Sequence, residues 1–418
     1  MTRLQRIRRM IGGIDLWSTM IAVAIAILMI VVATQVEAQT YNVIYSFSGC
    51  ADGNTPTGTL ALDRAGNLYG TAGVGGTGCG NDGSGVVFRL KKAGSGWVET
   101  PLHAFTGADG AVPEDFGGLT IGPDGSLYGT TRDGGAGDAG VVFRVRPPAR
   151  PCMTVLCPWS ESVLHSFVSD GSGGAVPYSN LVFDAAGNMY GTTTEGGANF
   201  GTAFELSPQG GGWNESVIAN LPEFPIAGMI LDREGNLYGA TFTGGFDNAG
   251  TVFELTPTAS GWTSSVLYTF RSTGATGINP VGGLVFDAAG NLYGSTSEGG
   301  PGGGGVIFEL APSGGGWTFN IIYNLQGGGG PASSLTMDAD GNLYGTTVSD
   351  GAFTSGNVFK LTRSGDSWTY SDLYDFQLGN GGLTPIGGVT LDANGDLFGT
   401  ASAGGAHNAG VVWEITPN

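Results

Sequence analysis

The sequence predicts an all-β fold, a seven-bladed β-propeller of four-stranded antiparallel blades, on three observations. First, the segment Gly-Asn-Leu-Tyr-Gly-Thr and its variants recur seven times, with the aromatic at Tyr69, Tyr128, Tyr190, Tyr238, Tyr293, Tyr344 and Phe398, at intervals of 48 to 62 residues. Second, the surrounding segments are four to nine residues long, rich in β-branched and aromatic side chains, and bounded by Gly, Pro, Asn or Asp, as strands are. Third, 79 of the 418 residues are Gly and only 12% are charged. Glycine destabilises a helix interior by about 1 kcal/mol relative to alanine, so bundles and helical solenoids are excluded. A formal charge of −19 repels a phosphate backbone and argues against nucleic acid as a partner.

Residues 1–38 differ from the rest. Arg3, Arg6, Arg8 and Arg9 form a basic start, Met20 to Ala33 is an apolar run, and Val36-Glu37-Ala38 is a small-residue cleavage site. This is the pattern of a secretory signal peptide, with an uncleaved anchor as the alternative. Removing it leaves 12 basic and 33 acidic residues, a net −21 on residues 39–418, which form a single propeller domain.

Within each repeat the first strand is an alternating Gly-Leu-x-x-Asp segment, as in Gly283 to Asp287. The turn Asp-x-x-Gly-Asn comes next (Asp63 to Asn67, Asp184 to Asn188), in which Asp bonds the turn backbone and Gly and Asn tolerate positive φ. The second strand is Leu-Tyr-Gly-Thr. After a glycine-rich loop comes the third, Val306 to Leu310 in the fifth repeat. The fourth begins at Trp97, Trp159, Trp213, Trp262, Trp317 or Trp368, with an apolar residue eight positions later. Long connections follow the fourth segment and suit the crossing between blades, so the Trp-led strand is outermost. The seventh repeat ends at Ile415 without one, and Tyr41 to Phe47 matches the missing segment. The N-terminal strand is therefore expected to close the ring by completing blade seven.

These repeats resemble the GloVer tandem repeat of bacterial exported choice-of-anchor proteins over residues 41 to 418. That family brings no biochemical activity to transfer. The chain stops at Asn418 after the last repeat strand, and soluble secretion to the periplasm or beyond is expected over anchoring.

An exported chain with four cysteines is expected to form disulfides. In an alternating blade, Cys50 in the first entry loop and Cys79 in the loop after the second strand share a face, and Cys152 and Cys157 sit in an enlarged hairpin of blade two, Pro147 to Pro158. The expected pairs are Cys50 with Cys79 and Cys152 with Cys157.

Catalytic signatures such as Gly-x-Ser-x-Gly and His-Glu-x-x-His are absent. His103 and His165 replace a tyrosine of the outer strand (Leu-His-Ala-Phe against Leu-Tyr-Thr-Phe), and packing is expected of them, as of the repeated tryptophans and tyrosines. The candidate site is the ring of x-Gly-Gly loops, whose first residue is Asp133, Glu195, Glu298 or Asp350 in four blades, with His407 in the loop of blade seven. These acids can accept hydrogen bonds from sugar hydroxyls or hold a cation, calcium being the one considered; the plainer alternative is solvated loop charge. No catalytic residue, metal site or required cofactor is expected. The leading reading is a secreted, monomeric, non-catalytic binding or scaffold module for extracellular polysaccharide or envelope proteins. The alternatives are a hydrolase or lyase with an acid on the loop face, and a structural or adhesive surface protein.

Overall fold

The computed structural model describes residues 39–80, 82–113, 118–148, 158–171, 173–198, 200–222, 224–327, 329–365 and 367–417. The expected signal segment 1–38, Cys152 and Cys157 lie outside the described residues. No helix among those described is long and apolar enough to cross a membrane.

Tyr41–Thr416 forms the propeller unit. Its seven sheets are antiparallel and follow chain order outward from the axis, as in blade four, where Ile230–Leu231, Leu237–Thr241, Thr251–Thr258 and Gly261–Thr269 pair in succession. In blade seven the outer strand is Thr40–Ser46, bonded to Val411–Thr416, so the N-terminal strand closes the ring as expected.

Each residue of Leu-Tyr-Gly-Thr has a steric or polar task. The leucines are buried. The tyrosine hydroxyl donates to the aspartate of its own turn, Tyr69 to Asp63 at 3.0 Å and Tyr344 to Asp338 at 3.0 Å, while its ring meets the Trp of the next blade, as in Tyr190 with Trp262 (5.7 Å) and Tyr293 with Trp368 (5.9 Å). The glycine lies under the aromatic ring of the third strand: a Cβ on Gly70 would stand 2.5 Å from Phe88, and one on Gly399 2.2 Å from Trp413. The threonine hydroxyl reaches the next blade's inner backbone, Thr130 to the Ser179 carbonyl (3.0 Å), Thr346 to Gly387 (3.1 Å) and Thr400 to Gly58 (3.3 Å). The turn aspartates are saturated with donors. Asp63 Oδ1 accepts the Ala65 and Asn67 N–H groups, and Oδ2 accepts the Asn67 amide and the Tyr69 hydroxyl. Burial raises the affinity of this carboxylate for a proton, but those hydrogen bonds outweigh it, and the net shift is downward.

Two contacts close the seams between blades. Near the axis, pairs of small residues at the start of the inner strands let backbones approach. Gly118 would place a Cβ 2.4 Å from the Thr59 carbonyl, Gly282 would place one 2.2 Å from Ser333, and Gly388 N–H donates to Thr59 Oγ1 at 2.9 Å across the seam of blades seven and one. Nearer the loop face, at six seams a proline of the following blade lies on the glycine that opens the preceding blade's third strand. A Cβ on Gly250 or on Gly410 would stand 2.3 Å from the Cδ of Pro280 or Pro56, and the same contact joins Gly85 to Pro113, Gly140 to Pro177, Gly201 to Pro225 and Gly356 to Pro385. The residue before the proline then adopts positive φ, 60° at Thr55 and 57° at Asn279, and points its N–H across the seam to Ala409 O (3.1 Å) and Ala249 O (2.9 Å).

The outer strand carries a bulge at one register. Val87 pairs with His103 but Phe88 with Pro101, and the equivalent shift falls between Val142 and Phe143, Ala203 and Phe204, Val252 and Phe253, Ile307 and Phe308, and Val358 and Phe359. One extra residue reverses the faces of all later residues in the strand. Side chains near the Trp therefore face the preceding blade, and those past the bulge face the next.

The Gly–Pro junction makes a graded test. Gly290 has φ +86° and open space where a Cβ would stand, whereas Gly250 combines φ +97° with the Pro280 overlap. Gly290→Ala is expected to cost about 1 kcal/mol of unfolding free energy from backbone strain, and Gly250→Ala about 2–4 kcal/mol with overpacking added. Denaturant unfolding of both variants measures the difference, and equal losses would remove the seam as its cause.

Candidate functional site

Because strands alternate, the connections after the second and fourth strands emerge on one face. The base of the former is closed by the second threonine of the motif, whose oxygen accepts an N–H at or near the start of the third strand: Val306 to Thr296 (3.0 Å), Thr251 to Thr241 (3.2 Å) and Asn357 to Thr347 (3.2 Å). On this face Cys50 and Cys79 form the expected disulfide, tying the entry loop of blade one to the loop after its second strand. With a sequence separation of 29 between the cysteines, loop closure contributes about 3–4 kcal/mol in the chain-entropy account.

The loop acids stand one to a blade. Asp133 ends the strand Leu127–Asp133 and is held by Arg132, whose guanidinium lies 2.9 Å from its carboxylate. Glu195 and Glu298 are exposed at the ends of Met189–Gly196 and Leu292–Glu298. Asp350 lies in a turn, accepts the Gly351 N–H at 2.8 Å, and has its proton affinity raised by burial and by Asp372 and Asp375. His407 is exposed in the blade-seven loop. None of these five belongs to the His/Cys/Asp/Glu group that the described residues bring within metal-ligating reach.

The same face exposes large apolar side chains that the repeat pattern does not single out. Phe200, Phe246 and Phe353, 69%, 81% and 53% exposed, sit in the loops after the second strands of blades three, four and six. Phe224 and Leu378 stand in neighbouring crossings. The Arg271 guanidinium lies 4.9 Å from the Phe246 ring centre and 3.9 Å from Asp247. Their signal in the sequence is an aromatic within otherwise polar Gly, Asn and Asp loops, where no core can claim it.

A second group of aromatic and titratable side chains lies on the outer rim. The bulge pairs the residue six after each Trp position with the residue two after the next. Three seams fill this pairing with stacked rings: Tyr268 on Phe319 (4.1 Å), Tyr323 on Tyr370 (4.5 Å) and Tyr374 on Tyr41 (3.6 Å). In three further seams the second partner is a half-buried glutamate, and between blades three and four the two positions hold Ala219 and Ser264. Glu99 belongs to the seam that also holds Tyr45 and Asp52, and Glu161 to the one with His103 and Asp109. Glu215, half-buried like His165, occupies the position in blade three. Burial, with Asp52 adding to it, raises Glu99 to about 8; burial, with Asp109 adding, raises Glu161 to about 7. The Glu99 and Glu161 Oε1 atoms are buried without a hydrogen-bond partner. The His103 and His165 rings do pack as expected, edge-on to Phe105 (4.9 Å) and Phe167 (4.6 Å), the place that Tyr268 takes on Phe270 (5.0 Å).

The Gloeobacter/Verrucomicrobia repeat family matches this chain twice, over residues 30–224 and 225–418. No curated protein matches it. Among solved structures, the extracellular domain of a protein described as a hybrid two-component system from B. thetaiotaomicron superposes with TM-score 0.54 at 12% identity, covering 90% of this chain and 39% of that one. A gluconolactonase from Xanthomonas campestris gives TM-score 0.44 at 13% identity, covering 93% of each chain. A Thermus thermophilus protein described as an oxidoreductase (glucose dehydrogenase) gives 0.46 at 14%, covering 91% of this chain and all of that one. At these identities the likeness is one of fold.

The rim glutamates give stability a pH dependence. Glu99 holds its proton more tightly folded than unfolded, so between pH 4.5 and about 8 the folded state carries the greater number of protons and stability falls as pH rises. Thermal midpoints of the parent protein are expected to decline more steeply across that window than those of Glu99→Gln; parallel profiles would remove Glu99 as the cause.

Proposed function

Starting from a chain that belongs to the Gloeobacter/Verrucomicrobia repeat family, a propeller-forming repeat, we propose that this protein is an exported, non-catalytic binding module whose loop face takes an extracellular polysaccharide. One observation carries the reading: rigidly based loops hold exposed phenyl rings, Phe200, Phe246 and Phe353, on the same face as the loop carboxylates. Flat rings offer stacking area to sugar faces at low entropic cost, and carboxylates accept hydrogen bonds from hydroxyls. Asp133, Glu195, Glu298 and Asp350 serve as such acceptors, with His407 beside them. The net negative charge favours a neutral or cationic polymer over an anionic one. Export to the periplasm or the outside accords with the Cys50–Cys79 disulfide, since such bonds persist in oxidising compartments.

The four loop acids come from four separate blades, Asp350 having only Asp372 and Asp375 of its own blade beside it, so no two of the four are paired within one blade, which supports binding over turnover. Affinity electrophoresis of the full chain against a panel of neutral polysaccharides tests the proposal. Retardation in at least one gel is expected, weakened about thirtyfold in Phe246→Ala/Phe353→Ala at roughly 1 kcal/mol per ring. Substituting the four acids by their amides is expected to weaken it further. Absence of retardation across the panel, or unchanged retardation of the ring variant, would overturn it.

A further inference from the structure

Two adjacent seams of the outer rim share a three-part arrangement and differ at one decisive atom. In both, an aspartate of the crossing loop is fixed by the residue that opens that loop: Asp52 by Ser48 N–H (2.7 Å), Asp109 by Thr106 N–H and hydroxyl (2.8 Å each). In both, the next blade brings a glutamate two residues after its Trp. In the first seam the third member is Tyr45, whose hydroxyl donates to Asp52 at 2.9 Å and offers no metal-binding nitrogen. In the second it is His103, whose Nε2 lies 3.0 Å from Asp109 Oδ2.

We propose that His103, Asp109 and Glu161 form a binding site for a divalent transition-metal ion of the zinc class, an ion that clamps blade one to blade two. One ligand atom from each of the three side chains lies within 4.8 Å of the other two, and the three come from separate segments, the strand Gly96–Ala104, the crossing loop and the strand Ser160–Val168. Zinc bonds of about 2.0–2.2 Å to imidazole nitrogen and carboxylate oxygen place ligand atoms somewhat over 3 Å apart, within a small side-chain adjustment of this arrangement. The ligands are held from behind. Phe105 packs edge-on against the imidazole, and Thr106 occupies Asp109 Oδ1, leaving Oδ2 to the site.

An independent observation points the same way. Glu161 Oε1 is shut off from solvent and has no hydrogen-bond partner. An unpaired buried acceptor costs about 1–3 kcal/mol, which a cation would relieve. With a neutral imidazole and both carboxylates deprotonated on binding, the three ligands bring a charge of −2, which a divalent ion balances. One nitrogen and two oxygens suit zinc better than calcium, which takes six to eight oxygens. His103 and Asp109 keep 20% and 22% of their side-chain surface exposed, enough for water to complete the coordination.

The test is calorimetric titration of the chelator-treated full chain with Zn²⁺, with visible absorption of the Co²⁺ form as a second readout. One ion per chain is expected, together with the absorption of a low-symmetry cobalt site. His103→Tyr installs the residue that the sister strands carry and keeps the rim packing, and Glu161→Gln keeps the shape. Each is expected to weaken binding about 100-fold or more, since loss of even a supporting group costs 10–100-fold. Glu99→Gln is expected to bind as the parent does. No Zn²⁺ uptake by the parent chain, or uptake of undiminished affinity by a folded His103→Tyr protein, would overturn the proposal.

Discussion

Absence of a Cβ is the constraint on which this ring depends. Blades can turn through a common angle only if neighbouring backbones come closer than an alanine allows. At Gly250 and Gly410 the missing atom leaves room for a proline of the next blade. The residue before that proline, packed at the seam, takes positive φ, a conformation that costs on the order of 1–3 kcal/mol outside glycine. The cost is offset locally: the same twist aims the Thr55 and Asn279 N–H groups at carbonyls across the seam. Strain and bonding are therefore one device, repeated at six of the seams.

The repeat order, the turn chemistry, the outer Trp strand and the closure by Thr40–Ser46 were all legible, because each rests on local composition or periodicity. Two features were not. Thr55-Pro56 and Val112-Pro113 read as ordinary extended dipeptides, since a residue before proline is usually in the β region; only the neighbouring blade explains their positive φ. The rim pairing was hidden for a different reason. Simple alternation puts Glu99 and His103, four residues apart, on one face, and the bulge between Phe88 and Val87 sends them to opposite neighbours. A propensity argument cannot see a register shift that exists only in the pairing. Among candidate ligand residues, the acids at x-Gly-Gly stand out by their position in the repeat, whereas Phe200, Phe246 and Phe353 do not, because they occur where the repeats differ.

The rim also breaks the sevenfold symmetry that the sequence suggests. From blade four through blade seven the seams are stacked rings, while the first two carry Glu99 and Glu161 beside an aspartate. Stacked rings are indifferent to protons and ions; buried carboxylates are not. One arc of the ring is thus a fixed frame and the other responds to its medium. A repeat protein can in this way confine chemistry to one sector without altering the scaffold that carries it.

Closure of the ring by its first strand bears on how the chain reaches its fold. Among the described strands Thr40–Ser46 is the first made and Val411–Thr416 the last, and the Ala406 N–H donates to Ser46 Oγ across 360 positions of sequence. Blades one to six can each assemble from contiguous chain, but blade seven cannot, its outer strand standing unpaired while the rest is made. The final zippering and the seam of blades seven and one are the contacts of very high sequence separation, so they carry a large loop-closure entropy and make the last event the slow one. Until then Tyr41 and Tyr45 lie on an open edge that other strands can invade. Joining the ends and opening the chain at another seam would relieve that wait without changing a single contact in the finished ring.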